Sequence, residues 1–325
     1  MQAIPVACKD QAEWLENRRK GLGGSDIAAV AGISPFAGPI DIWQDKLGVT
    51  IPRESEPMAW GSALEQPIAD RYANNHPGVE LTEPGLVQHP ADEWMLATPD
   101  RLVDARRGLE LKTAGMHMAS RWGEPPDGVI PDEYYAQVQW YMGITGLTEW
   151  DLAVLIGGQD YREFHFAFNE GYFLHLREVG SAFWQDHIIE GAVPSMDATE
   201  GAKKYLEERY PANEVETMLT ASAAAEDLFY ELLRARENAK TAIDERKTLE
   251  NRLKALVGEN TGMSFAGDGL VTWRKVDDKA SVDWKGLVKE LGPSIDAALI
   301  AKHTRTKKGT RRFLVREPEV TDGGS

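Results

Sequence analysis

Apolar and polar positions follow two rhythms over the first two thirds of this chain. Residues 85–89, 101–104, 108–113, 151–156 and 161–168 are short apolar runs or alternate with period two, and they predict strands; in the last, Phe164, Phe166 and Phe168 alternate. Helical spacing predicts a helix around Trp14, a short one capped by Ser25 and ending at Gly32, and another over 39–47 closed by Gly48. Residues 61–75 form a helical stripe through Ile68, Ala69 and Tyr72, and 134–142 another that sets Gln137 beside Tyr134 and Tyr141. Interspersed strands and helices predict an α/β fold.

The rhythm changes near Glu214. Met218, Ala221, Ala225, Leu228, Leu232, Ala235, Ala239, Ala242, Leu249, Leu253 and Leu256 keep a three-four spacing broken by Arg246, which predicts one long helix or a helical hairpin. A small α+β tail follows, with strands expected at 270–275 and 312–315 and a helix near 284–291. Two domains are therefore expected, 1–213 and 214–325, the second a packing arm or oligomer contact.

At 325 residues and 42% hydrophobic content the chain can bury a sizeable core. A single cysteine, Cys8, leaves no internal disulfide and no cysteine-clustered zinc site, which fits a reducing compartment, with cytoplasm the default. No run of about 18 uncharged apolar residues occurs, and the first ten residues lack a signal-peptide pattern, so no membrane association is expected. The net charge of -16 argues against non-specific coating of nucleic acid. Local basic groups remain, at Arg18-Arg19-Lys20 and over 297–316, where Lys302, Arg305, Lys307, Lys308, Arg311, Arg312 and Arg316 stand with no acid among them.

The chemistry lies in Thr98-Pro99-Asp100 and, ten residues on, Glu110-Leu111-Lys112. On a strand, Glu110 and Lys112 project to one face and Leu109 and Leu111 to the other. A hairpin over 104–108 would bring Asp100 to the same place. Two carboxylates and a backbone carbonyl suit Mg²⁺, and an adjacent lysine can orient water or stabilise charge on a phosphate. The plainer alternative is a pair of cross-strand charges on a solvated sheet.

Glu65 shares the stripe of its helix, so it needs a partner: a metal ion, or the capping box Ser62-Ala63-Leu64-Glu65, with Pro67 implying a late start or a kink. Gly23-Gly24-Ser25 can present backbone amides to an anion with Arg18 supplying charge, although most such helix starts hold nothing. The glutamines of 134–142 could bond substrate or be satisfied in the core. The seven histidines show no zinc spacing, and no nucleotide-binding P-loop or G-x-S-x-G elbow is present.

Taken in order, Arg18 with Gly23-Gly24-Ser25-Asp26, Trp60-Gly61 with Glu65, Thr98-Pro99-Asp100, Gly108 to Lys112 and Tyr135-Ala136-Gln137-Val138-Gln139 resemble the YqaJ-type viral recombinases, the family of the phage lambda exonuclease within the PD-(D/E)XK nucleases. The resemblance covers about residues 10–190. It implies a restriction-endonuclease-like core, a mixed central sheet flanked by helices, with the helical and α+β extension beyond it. Asp100, Glu110 and the Leu111 carbonyl would hold Mg²⁺, with Mn²⁺ as a substitute; Lys112 would be the catalytic lysine and Glu65 a supporting acid. Gln137 and Gln139 would be active-site glutamines, and Arg18, Ser25 and Thr98 the pocket for a 5′-phosphate.

The implied activity is digestion of linear duplex DNA from its 5′ ends, leaving 3′ single strands for an annealing protein in phage or prophage recombination within a bacterial host, by a ring-shaped trimer. Thr98 stands where a serine is also found, and residues beyond 213 have no counterpart in a minimal exonuclease. Two rivals stand beside this reading: an endonuclease or nickase on the same fold, and a non-catalytic DNA-end adaptor working through the helical arm.

Overall fold

The computed structural model describes residues 3–50, 55–125, 128–212, 218–265, 270–276, 283–291, 298 and 301–302. The chain divides into two units, Met1–Tyr210 and Pro211–Ser325.

In the first unit the elements run β1 (Ile4–Pro5), α1 (Gln11–Arg18), α2 (Gly24–Val30), α3 (Pro39–Lys46), α4 (Glu56–Asn75), β2 (Leu81–Thr82), β3 (Val87–Gln88), β4 (Leu96–Ala97), β5 (Arg101–Val103) and β6 (Arg107–Ala114). A 3₁₀ turn over Met116–Arg121 leads to α5 (Asp132–Thr145), β7 (Glu149–Ile156), β8 (Asp160–Ala167), α6 (Glu170–Phe183) and α7 (Glu200–Arg209). The central sheet has the order β2-β5-β6-β7-β8. Only β6 and β7 pair in parallel, because α5 carries the chain back between them; the other neighbours are antiparallel. This is the mixed sheet flanked by helices that the sequence leads one to expect. The run at 85–89 contributes only Val87–Gln88, and to a separate small sheet, β1-β3-β4.

The sheet is buried on both faces, which explains its apolar strands. On one face α4 sets Ile68, Ala69 and Tyr72 against Val103, Leu109, Leu111 and Ala153. On the other lies the larger core, in which Ala136, Trp140 and Ile144 of α5 join Trp150, Leu152, Val154 and Phe164. Gly108 is where the sheet meets Trp150: an added Cβ would lie 2.3 Å from that ring.

Two helix starts differ from expectation. The N-cap of α2 is Gly23, not Ser25, because Asp26 turns back to accept the Gly23 N–H at 2.9 Å. In α4 the helix begins at Glu56 and runs unbroken through Pro67, so neither a late start nor a capping box at Ser62 applies. Pro67 lies on the exposed side, where the carbonyl it frees can be hydrated.

In the second unit α8 (Ala223–Val257) is a single helix of 35 residues, not a hairpin, begun by the Ser222 side chain on the Ala225 N–H. Arg246 does not interrupt it, since its guanidinium lies outside the helix 3.4 Å from Glu250. β9 (Gly262–Ser264) and β10 (Leu270–Thr272) pair antiparallel, and α9 (Trp284–Leu291) follows. The strand expected at 312–315 and the basic positions 305–316 lie outside the described residues. No helix among the described residues is long and apolar enough to cross a membrane.

Candidate active site

The site is built where the β5–β6 hairpin opens. Arg101 pairs with Leu109, so the register carries Asp100 opposite Glu110. Asp104 and Ala105 make the turn with φ of 51° and 54°, the left-handed region that a tight hairpin requires. Asp100 Oδ2 then accepts the Leu111 N–H at 2.7 Å. The N–H and C=O of a strand residue point to the same edge, so the Leu111 carbonyl also faces Asp100, beyond the end of β5.

Glu110 and Lys112 project from β6 toward α5, and Lys112 Nζ donates to Glu110 Oε1 at 2.6 Å. The same oxygen accepts Gln137 Nε2 at 2.7 Å, and that amide also reaches the Tyr141 hydroxyl at 3.1 Å. The ammonium stands 5.2 Å from the centre of the Tyr134 ring, which is stacked on Trp122. The other Glu110 oxygen, Oε2, is buried and has no hydrogen-bond partner.

Electrostatics follow from this burial. Desolvation, and then the neighbouring Asp100 carboxylate, push Glu110 up to about 8. Asp100 is also raised, mainly by burial, against the pull of Lys112 and the Leu111 amide. Burial would by itself lower Lys112, but the two carboxylates outweigh it and raise the ammonium, so it stays charged. Two facing carboxylates, one with an unpartnered buried oxygen, fit a hard divalent cation that would relieve their repulsion. Among the described residues no three His, Cys, Asp or Glu side chains converge on one point, so such an ion would complete its shell with the Leu111 carbonyl and water.

Glu65 has another partner. Arg101 Nη1 donates to Glu65 Oε1 at 2.6 Å and to the Asp100 carbonyl at 2.6 Å, and Nη2 donates to Gln66 Oε1 at 3.1 Å. The acid that sequence periodicity placed on a buried face is thus half-exposed and ion-paired.

Arg18 and Ser25 do come together, Nη2 lying 3.4 Å from Oγ, while Thr98 is half-buried in the link between β4 and β5. Beneath Arg18 lies Asp26, a residue to which sequence reasoning gave no separate role. It accepts Arg18 at 3.2 Å and the fully buried Lys46 at 2.6 Å. Burial would raise Asp26, but Lys46, Arg18 and the Gly23 N–H hold it at about 2. An acid three residues after the N-cap was the available signal for it. Gly24, next to Ser25, packs on α5: an added Cβ would lie 2.6 Å from Gln137 Cγ and 2.7 Å from Tyr141 Cε1. That contact sets the Arg18 pocket beside the carboxylate pair.

Gln139 does not join the site, which corrects the expectation for it. Two helical residues on from Gln137 it faces the opposite way, donating to the Ala167 carbonyl at 3.0 Å and accepting the Asn169 N–H at 2.8 Å. It ties β8 to the start of α6.

Residues 13–148 match the model of the YqaJ-like viral recombinase domain. The uncharacterized protein YqaJ of Bacillus subtilis (strain 168) is 28% identical over 312 residues, 94% of each chain. Among solved structures, the alkaline exonuclease LHK-Exo from Laribacter hongkongensis is similar with a TM-score of 0.45 and 20% identity, over 61% of this chain and 97% of that one. A phage related exonuclease from Haemophilus somnus is similar with a TM-score of 0.38 and 12% identity, over 53% of this chain and 96% of that one. Residues 13–148, which hold Asp100, Glu110, Lys112 and Gln137, are thus the part of the chain that is similar to the YqaJ-like viral recombinase domain.

Proposed function

We propose that this protein is a metal-dependent DNA exonuclease that digests linear duplex from its 5′ ends and leaves 3′ single strands for an annealing protein in phage-type recombination. The observation that carries the reading is the buried Glu110 beside the half-buried Asp100, with the Lys112 ammonium 2.6 Å from Glu110 and one Glu110 oxygen unpartnered. A purely structural charge pair would leave no such oxygen, because burying it costs free energy that nothing repays.

Asp100, Glu110 and the Leu111 carbonyl would hold Mg²⁺, or Mn²⁺ in its place. The ion would supply polarisation of the phosphate and a more acidic bound water. Lys112 stays charged and is placed to orient that water or to stabilise negative charge on the phosphate. Gln137 fixes the Glu110 carboxylate from α5, and Tyr134 offers its ring face to the Lys112 ammonium. Arg18 and Ser25 would hold a 5′-phosphate, with the buried Asp26 and Lys46 beneath them orienting the guanidinium. A ring of three copies would keep duplex enclosed between cuts.

Digestion of end-labelled linear and covalently closed circular duplexes, with and without Mg²⁺, tests the reading. Mg²⁺-dependent nucleotide release from linear DNA, starting at the 5′ end, is the expected result. Cleavage of circles would make the protein an endonuclease or nickase, and retention of ends without hydrolysis would make it an adaptor.

A further inference from the structure

We propose that Arg101 withholds Glu65 from the cation, so that this protein's metal site rests on two carboxylates and not three. The inference depends on the reading of Asp100 and Glu110 as metal donors, and it assigns Arg101 as a positioning residue of that site.

Two observations carry it. The first is the pleat: Arg101 pairs with Leu109, and both face α4, whereas Asp100 and Glu110 share the face turned to α5. Glu65 belongs to α4, so its guanidinium partner lies on its own side of the sheet.

The second is compensation. The Arg101 side chain is 7% exposed, and a buried guanidinium needs a nearby negative charge. Glu83 lies 3.2 Å away but its side chain is 70% exposed, and Gln66 is neutral. Glu65, at 2.6 Å, therefore supplies most of the balance, and a carboxylate neutralised in this way is a poor donor to a second cation.

Arg101 also donates to the Asp100 carbonyl at 2.6 Å, so one side chain both steadies the peptide that bears a donor and removes a competing acid. Freeing Glu65 would add a negative charge to the site and tighten divalent binding. The present arrangement would leave such an ion more weakly held, with more room for water and substrate.

Mn²⁺ binding to the purified full chain, followed by electron paramagnetic resonance and calorimetry without DNA, tests this directly. Asp100→Asn and Glu110→Gln should each weaken binding by about tenfold or more, Glu65→Gln should change it less than about twofold, and Arg101→Gln should tighten it by about fivefold. The gain should disappear in the double variant Arg101→Gln with Glu65→Gln. If Arg101→Gln does not fold, the Glu65→Gln measurement in an otherwise unaltered chain decides alone. Weakening by Glu65→Gln as large as that by Asp100→Asn, or no tightening in folded Arg101→Gln, overturns the proposal. Undiminished Mn²⁺ binding in both Asp100→Asn and Glu110→Gln would instead remove the metal-site reading on which it rests.

Discussion

Asp100 accepts the Leu111 N–H at 2.7 Å, and this one bond fastens the acid of the Thr-Pro-Asp turn to the middle of the Glu-Leu-Lys strand. It lies just past the last residue pair of β5 and β6, where the ladder would otherwise leave the amide open. A side chain thus replaces a strand, and the space that the missing strand vacates is where Glu110 and Lys112 meet Asp100.

Lys112→Ala should reduce hydrolysis of linear duplex by about 100-fold or more while leaving the binding of DNA ends near its original strength. Single-turnover digestion paired with an end-binding titration checks both halves. Full activity in the variant would take the lysine out of the chemistry.

Arg18 is held by Asp26 at 3.2 Å, and Lys46 at 2.6 Å keeps Asp26 paired when Arg18 is absent. Arg18→Ala should therefore fold and lose about tenfold of the preference for a 5′-phosphate over a 5′-hydroxyl end, the loss expected for one charge-assisted contact. Competition between the two kinds of end is the measurement. An unchanged preference would place the phosphate elsewhere.

Asp26 links this pocket to stability. Its carboxyl is held at about 2, below the usual carboxylate range, so its contribution is complete above about pH 4 and is lost as pH falls toward 2. Asp26→Asn should cost about 3 kcal/mol at neutral pH, because it leaves Lys46 buried without its main counter-charge. Urea unfolding from pH 7 down to about pH 2 should show the gap between variant and parent shrinking as the parent's Asp26 takes up its proton. A gap independent of pH would contradict the pairing.

Gly24→Ala tests whether the glycines before α2 serve packing. The new methyl would meet Gln137 and Tyr141 at 2.6 and 2.7 Å, pushing α5 from α2 and with it the amide that holds Glu110. We expect a loss of about 1 to 3 kcal/mol, together with lower activity. Gly23→Ala, whose methyl would find only an Asp26 oxygen at 3.5 Å, should be milder. Equal costs at the two positions would argue against a packing role specific to Gly24.

Much of this was legible in one dimension. Period-two alternation over β6 separates Leu109 and Leu111 from Glu110 and Lys112, and the observed strand divides them in that way, the leucines against α4 and the charged pair against α5. The spacing of Thr98-Pro99-Asp100 ahead of that strand also suffices for a hairpin, because the intervening residues can turn within a few positions. Helical periodicity found the stripe of α4 but misjudged its start, since Pro67 is costly only where its lost bond would be buried, and burial is not written locally.

The sequence by itself determined the alternation that aims Glu110 and Lys112 to one side of a strand, because pleating depends on neighbours along the chain. Only the tertiary structure decided the partners: Arg101 for Glu65, Lys46 for Asp26, Gln137 for Glu110, with Gln139 turned to the far side of its helix. Each of these pairs joins elements distant along the chain or sorts adjacent residues by which face is covered. Which charge meets which is set by how helices and sheet pack, and that packing answers to the burial of the whole core.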